Sequence, residues 1–479
     1  MTKNRLDDII EERSELFTQA SDRIWEYAEM RFEEVQSSAL LSEILSGEGF
    51  AVESGVAGIS TAFVASFGSG SPVLAILGEY DALSGLSQKN GVAQQEPVVA
   101  GRSGHGCGHN LLGAGALAAA VALKHYMVEN KTTGTIRYYG CPGEEGGSGK
   151  TFMAREGVFD GVDVAFTWHP LTHNTIFSMS TLANYQVSFK FHGKSSHAGT
   201  TPHLGRSALD AVELMNVGVN YLREHVVQEA RIHYAVTNTG GSSPNVVQAE
   251  AEVLYLMRAP KVDQVRDIYE RVCKIAKGAA MMTETECEIV FDKACSNYIP
   301  NSVLGKLLLE NFTAVGVPRP DEQEKRFAQE IYSTLTTNER NNDLQMASDF
   351  MGGSGKEIVK TLGKVVLSDV ILPCVYSPKL LSGSTDVGDV SWIVPTAQLC
   401  VACNVFGTPG HSWQTVAQGA TTFAHKGMLA AGKVMARAMA DVLENPAIVA
   451  EAQIELKEAL DGATYVCPIP PGVNPKLSR

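Results

Sequence analysis

The chain has 479 residues, 44% apolar and 19% charged, and its 39 basic and 53 acidic side chains give a formal net charge of −14. That length predicts two or more domains with an ordinary globular balance. The acidic excess is spread along the chain, no basic cluster marks a nucleic-acid or anionic-lipid surface, and no run of about 18 apolar residues predicts a membrane span.

The opening MTKNRLDDIIEERSELF is charged and helical in pattern, unlike a secretory signal. Nine scattered cysteines, an odd number, then point to reduced thiols in a cytoplasm. Cys400 and Cys403 form a C-x-x-C, but with no partner pair or βαβ context a redox or zinc role is disfavoured there, and most of the remaining cysteines read as small buried apolar residues.

Residues 5–47 read as one or two amphipathic helices, and Val73–Leu77 as a buried strand that stops before Glu79-Tyr80-Asp81. An Ala- and Leu-rich helix follows His109. Thr135–Tyr139 is a strand leading into Glu144-Glu145, and Val162–Phe166 one leading into His169. Alternating strands and helices argue for a mostly parallel α/β sheet. From about Thr181 the pattern changes to strand 183–191, helix 207–225, strands 231–237 and 246–257, helix 262–281 and strand 287–291. That β-α-β-β-α-β order is the ferredoxin-like split pattern, read as a module inserted in the first domain. The chain returns to the first domain near Pro300. Residues 327–355 read as a polar, irregular insertion, 399–406 as a late strand before Gly407–His411, and 420–443 as a long Ala-rich helix.

Three segments end in metal-binding side chains directly after apolar runs: Gly106-Cys107-Gly108-His109, Pro142-Gly143-Glu144-Glu145 and Thr167-Trp168-His169. Loops leaving the C-terminal ends of parallel strands meet at one crevice, so these segments are expected to converge. Cys, His and carboxylate suit a borderline-soft divalent ion, and paired glutamates can divide metal binding from proton transfer. Taken singly, Cys107 also reads as a packed core thiol and Glu144-Glu145 as a solvated acidic turn. Together they point to a metal-dependent hydrolase.

GEYDALSGLSQ, GHGCGHN, CPGEEGGSGK, TWHP and GSTDVGDVSW resemble the co-catalytic metallopeptidase superfamily of aminoacylases, glutamate carboxypeptidases and hippurate or auxin-conjugate amidohydrolases. Within it they are most similar to the branch acting on p-aminobenzoyl-glutamate. The resemblance implies an α/β, mostly parallel-sheet catalytic domain of the dinuclear type from residues 1–183 and 298–479. Residues 184–297 would form the inserted ferredoxin-like α+β lid and dimerisation domain. It implies two divalent ions per subunit, Zn2+ or Mn2+, held by Cys107 as the bridging ligand and by His109, Glu145, His169 and His411. Glu144 would be the general base and acid, and Asp81 would orient the site. His197, in Gly193–Ala198, would polarise the scissile carbonyl in a neighbouring subunit, making a homodimer or a heterodimer with a homologous subunit the expected assembly. Asn245 and Arg258 would contact the substrate, Arg being the fork-shaped anchor for a carboxylate. Glu79 stands where many relatives carry a ligand histidine and is assigned no metal. Relatives commonly follow the C-G-H motif with Asp, one intervening residue and then His; here Asn110-Leu111-Leu112 follows. The expected reaction is amide hydrolysis of an N-acyl amino acid, with p-aminobenzoyl-glutamate favoured. Other N-acyl amino acids, indole-acetyl conjugates and dipeptides are alternatives, as is a non-catalytic partner subunit.

Overall fold

The computed structural model describes residues 3–352 and 355–477. Its central sheet runs in the order Ala51–Ser54, Phe63–Ser69, Gly134–Cys141, Val73–Glu79, Val164–Leu171, Thr396–Ala402 and Thr175–Ile176. The four inner strands pair in parallel and the outer ones antiparallel. Strands covered on both faces read as continuous apolar runs, which is why the short Val-, Ile- and Leu-rich segments form this core. From Val73–Glu79 the chain crosses to Gly134–Cys141 on one side, then returns to Val164–Leu171 on the other. That reversal opens a crevice at the strands' C-terminal ends.

The helix His109–Asn130 lies across the sheet with Thr422–Glu444 packed on it. Small residues let these elements approach closely: a Cβ on Gly115 would stand 2.8 Å from the Trp168 ring. Trp168 is fully buried, and its indole N–H donates to Leu112 O at 2.9 Å. By length and composition His109–Asn130 could span a membrane, contrary to the expectation of no such run, but 83% of its most apolar window is buried inside the fold.

The N-terminal region forms three helices, Asn4–Glu12, Ser14–Tyr27 and Val35–Gly47. The second ends at Ala28, whose left-handed φ of 44° turns the chain. Met30 then pairs with Ala82, drawing residues 29–34 beneath the crevice.

Ala183–His192, Arg231–Asn238, Glu250–Ala259 and Glu286–Cys295 form a second, wholly antiparallel sheet. Its order puts the fourth strand beside the first, then the third and second, the ferredoxin-like arrangement. Ala208–Leu222 and Val262–Thr283 are its two helices. The third strand begins at Glu250 rather than at 246, because 245–247 instead bond to 196–198.

The stretch expected to be irregular, 327–355, lies mainly in two helices, Glu322–Ser333 and Thr337–Phe350; its residues 353–354 lie outside the described residues. Capping boxes at Asp321/Glu324 and Thr336/Glu339 start them, and Ala328, Ile331, Ala347 and Phe350 supply narrow buried stripes. Their polar composition belongs to solvated helix faces rather than to a loop.

Candidate metal centre

Cys107 and His109 flank Gly108, which takes φ +77° at the start of the helix His109–Asn130. A Cβ there would meet Pro170 Cγ at 2.7 Å, so glycine is what lets the Cys-Gly-His turn press against the strand carrying His169. His109 Nδ1–H donates to Asp81 Oδ1 at 2.9 Å and His169 Nδ1–H donates to Pro170 O at 2.9 Å. Each bond commits one ring nitrogen and leaves Nε2 for another partner, as second-shell contacts do around metal ligands. His169 Nε2 lies 3.4 Å from Cys107 Sγ, and the donor atoms of Cys107, His109 and His169 all lie within 4.8 Å of one another.

Cys107, Glu145 and His411 form a second set within the same limit. Glu145 Oε1 is 3.0 Å from His411 Nε2, and the Glu145 N–H donates to Asp81 Oδ2 at 2.7 Å. Asp81 therefore fixes one member of each set. His411 arrives from a distant loop whose closure is a backbone bond, His411 N–H to Gly106 O at 2.9 Å. Its φ of +56° is unfavourable for a residue with a Cβ, strain of a kind that gathers at functional sites.

The electrostatics match donors built for cations. Burial and Glu145 push the Cys107 thiol up, but His169 and His109 outweigh them and bring it to about 6. Burial raises Glu145 too, yet His411 and His109 hold it at about 2. Hydrogen bonds to Cys107 and Glu145 raise His411 to about 11. The fully buried His109 Nε2 has no hydrogen-bond partner among the described residues. Glu79, His109 and Glu144 form a third set within the same limit. The two sets that share the Cys107 thiolate, with their imidazole nitrogens and carboxylate, fit a pair of divalent ions.

Glu144 opens the short turn Glu144–Gly147 beside these sets. Burial first, then the negative charges of Glu79, Glu145 and Asp386, raise its carboxyl well above the usual range. Two residues that sequence reasoning missed shape this turn. Glu34 accepts the Gly143 N–H at 2.8 Å, and Arg31 donates to Gly146 O while pairing with Asp292 of the lid sheet at 3.5 Å. The pairing of Met30 with Ala82 brings both there, and no local motif announced them. Lys150 and Asp386, within the CPGEEGGSGK and GSTDVGDVSW motifs, are buried against Glu79 and were likewise missed.

The three lid residues fall in two places. Arg258 sits on Glu250–Ala259 opposite Asn184, with Nη1 3.4 Å from Ser382 O; burial lowers its proton affinity, while the charges of Cys295 and Glu144 act in the opposite sense. His197 and Asn245 are exposed together elsewhere on the lid, where Asn245 O accepts the Ala198 N–H. His197 Nδ1 accepts the N–H groups of Gly199 and Thr200, both at 3.1 Å, so its Nε2 is left to face outward. Its hydrogen bonds do not reach the metal-ligand sets of its own chain.

Comparison with known proteins agrees with this architecture. Residues 181–281 match the peptidase dimerisation domain of the M20 type. Over 470 residues, 98% of each chain, the sequence is 51% identical to the B subunit of p-aminobenzoyl-glutamate hydrolase from Escherichia coli K12. It is 29% identical to the mouse Xaa-Arg dipeptidase, covering 66% of this chain and 72% of that one. Its fold matches the Bacillus subtilis YXEP protein, described as a dinuclear metal-binding peptidase of the M20 family, with a TM-score of 0.54, 17% identity and coverage of 92% and 99%.

Proposed function

This chain belongs to the M20 peptidase family, in the branch of the p-aminobenzoyl-glutamate hydrolase B subunit, and from that premise we propose a metal-dependent amidohydrolase converting p-aminobenzoyl-glutamate to p-aminobenzoate and glutamate. The observation that carries the reading is 51% identity to that relative over 98% of the chain, combined with two donor sets sharing Cys107 beside a buried Glu144.

Two divalent ions, Zn2+ or Mn2+, held by Cys107, His109 and His169 and by Cys107, Glu145 and His411, would polarise the scissile carbonyl and acidify the attacking water. Glu144 takes the proton from that water and returns it to the leaving nitrogen. Asp81 keeps the His109 ring and the Glu145 backbone in register. Arg258, in the field of Glu144, is suited to anchor the substrate carboxylate, and Asn245 serves the substrate from the lid.

The outward Nε2 of His197 suits stabilisation of the carbonyl oxygen in a neighbouring subunit's site. A second subunit is therefore part of the reading, as a homodimer or with a homologous chain. The Escherichia coli relative is one of two differently named subunits of its hydrolase, which favours the heteromer. Nine free cysteines support a reducing compartment, the cytoplasm.

The test is release of p-aminobenzoate by the purified chain with manganese or zinc, beside Glu144→Ala. Turnover by the native chain and its loss in the variant are expected. No turnover by a metal-loaded native chain, alone and with a homologous subunit added, overturns this substrate. A panel of N-acyl amino acids and dipeptides then decides the alternative that the Xaa-Arg dipeptidase likeness favours.

A further inference from the structure

Lys150 is fully buried, with Nζ 2.7 Å from Glu79 Oε1 and 2.6 Å from Asp386 Oδ1. Asp386 Oδ2 also accepts the Lys150 backbone N–H at 2.8 Å, so the lysine is gripped at both ends of its side chain. A buried cation needs one paired anion, and here it has two. The surplus negative charge is left on Glu79, itself only 2% exposed.

Glu79 uses one oxygen for Lys150 and turns the other toward the metal centre. Its Oε2 lies 3.3 Å from His109 Nε2, the same ring atom that is buried without a hydrogen-bond partner among the described residues. Two donors bound to one ion at about 2.0–2.3 Å stand about 3.0–3.5 Å apart, so this separation is that of neighbouring ligands on a common ion. The separations His169 Nε2 to Cys107 Sγ, 3.4 Å, and His411 Nε2 to Glu145 Oε1, 3.0 Å, are of the same kind.

The donor atoms of Glu79, His109 and Glu144 lie within 4.8 Å of one another. Resting on the two-ion reading above, we propose that Glu79 is a further ligand to the ion that His109 holds, with Lys150 and Asp386 fixing its carboxylate. This gives the two ions unequal sites. One gains a buried carboxylate beside the fully buried His109, which favours a tightly held ion. The other has three, Cys107, Glu145 and His411, the last with a half-exposed side chain, and keeps a position open. The first ion is then the tight, resident one and the second the exchangeable one that meets substrate.

The full-length chain, stripped by chelator, is titrated with Zn2+ against a chromophoric competitor and with Co2+ by visible absorption, with bound metal counted by mass spectrometry. The native chain is expected to take up two ions, one at least about tenfold tighter. Glu79→Gln keeps an oxygen for Lys150 but loses the ligating carboxylate. It should weaken the tight ion about 10- to 100-fold and change the cobalt spectrum of that site, leaving the weaker ion unaltered. Native affinity and spectrum in Glu79→Gln overturn the proposal and reduce Glu79 to a counter-ion of Lys150. A native chain that takes up no ion overturns the two-ion reading beneath it. If Glu79→Gln does not fold, the double variant Glu79→Gln/Lys150→Met removes anion and cation together, and the same titration decides.

Discussion

Glu34 accepts the backbone N–H of Gly143 at 2.8 Å across 109 residues of sequence. Its other oxygen takes the Thr61 hydroxyl at 3.0 Å, and among the described residues no cation pairs with it. Burial, followed by the nearby charge of Asp81, raises its carboxyl to about 8. The folded chain therefore binds a proton there that the unfolded chain releases near 4.5. The stabilising contribution is complete below about 4.5 and is lost as pH rises to about 8. Denaturation midpoints measured across that window should fall with pH in the native chain and less steeply in Glu34→Gln. An equal slope in both would show that Glu34 does not titrate there.

Glu144→Gln keeps the shape of the turn and removes the base. The expected loss in kcat is about 10²- to 10⁴-fold, with KM and bound metal unchanged. Steady-state kinetics with metal analysis on the same preparation checks it. Loss of metal alongside activity would make Glu144 a ligand instead.

Asp81→Asn replaces a carboxylate that accepts from His109 Nδ1 and from the Glu145 N–H with an amide able to satisfy only one of them. Metal affinity should fall about 10- to 100-fold, and activity with it until metal is raised. Recovery of kcat at saturating metal distinguishes this orienting role from direct chemistry.

Arg31→Met removes the link between the Gly146 carbonyl and Asp292, leaving that buried carboxylate, among the described residues, with the Gln186 amide at 2.6 Å as its side-chain donor. A stranded buried charge costs about 3 kcal/mol or more, measurable by chemical denaturation. Because Asp292 lies on the lid, KM should rise as well. Arg31→Met/Asp292→Asn should recover part of the stability.

The parallel strands and the candidate ligands that follow them are legible because each is local: an apolar run, then a short motif. Cys107, His109, Glu145, His169 and His411 could therefore be named from spacing and resemblance, and they do come together. Residues placed by tertiary contact were not legible. Arg31 and Glu34 sit in a charged N-terminal stretch that reads as helix surface, and only the pairing of Met30 with Ala82 carries them under the active turn. Lys150 follows Gly-Ser-Gly, where nothing local marks a buried side chain, and its side chain is completely buried. The helices of 322–350 are hidden for a different reason: their capping residues stand in the sequence, but the polar composition between them has the pattern of a loop.

The bond from the Trp168 indole to Leu112 O joins the strand that carries His169 to the helix that begins at His109. A displacement between those two elements has to be absorbed at that bond, inside a tightly packed part of the core. The fluorescence and near-ultraviolet circular dichroism of this indole are thus coupled to the spacing of two donors, so the chain carries an intrinsic optical gauge of its own centre. The gauge needs no label and no substrate, and Trp25→Phe, Trp392→Phe and Trp413→Phe would leave Trp168 as the sole tryptophan, read by excitation at the red edge where tyrosine does not absorb.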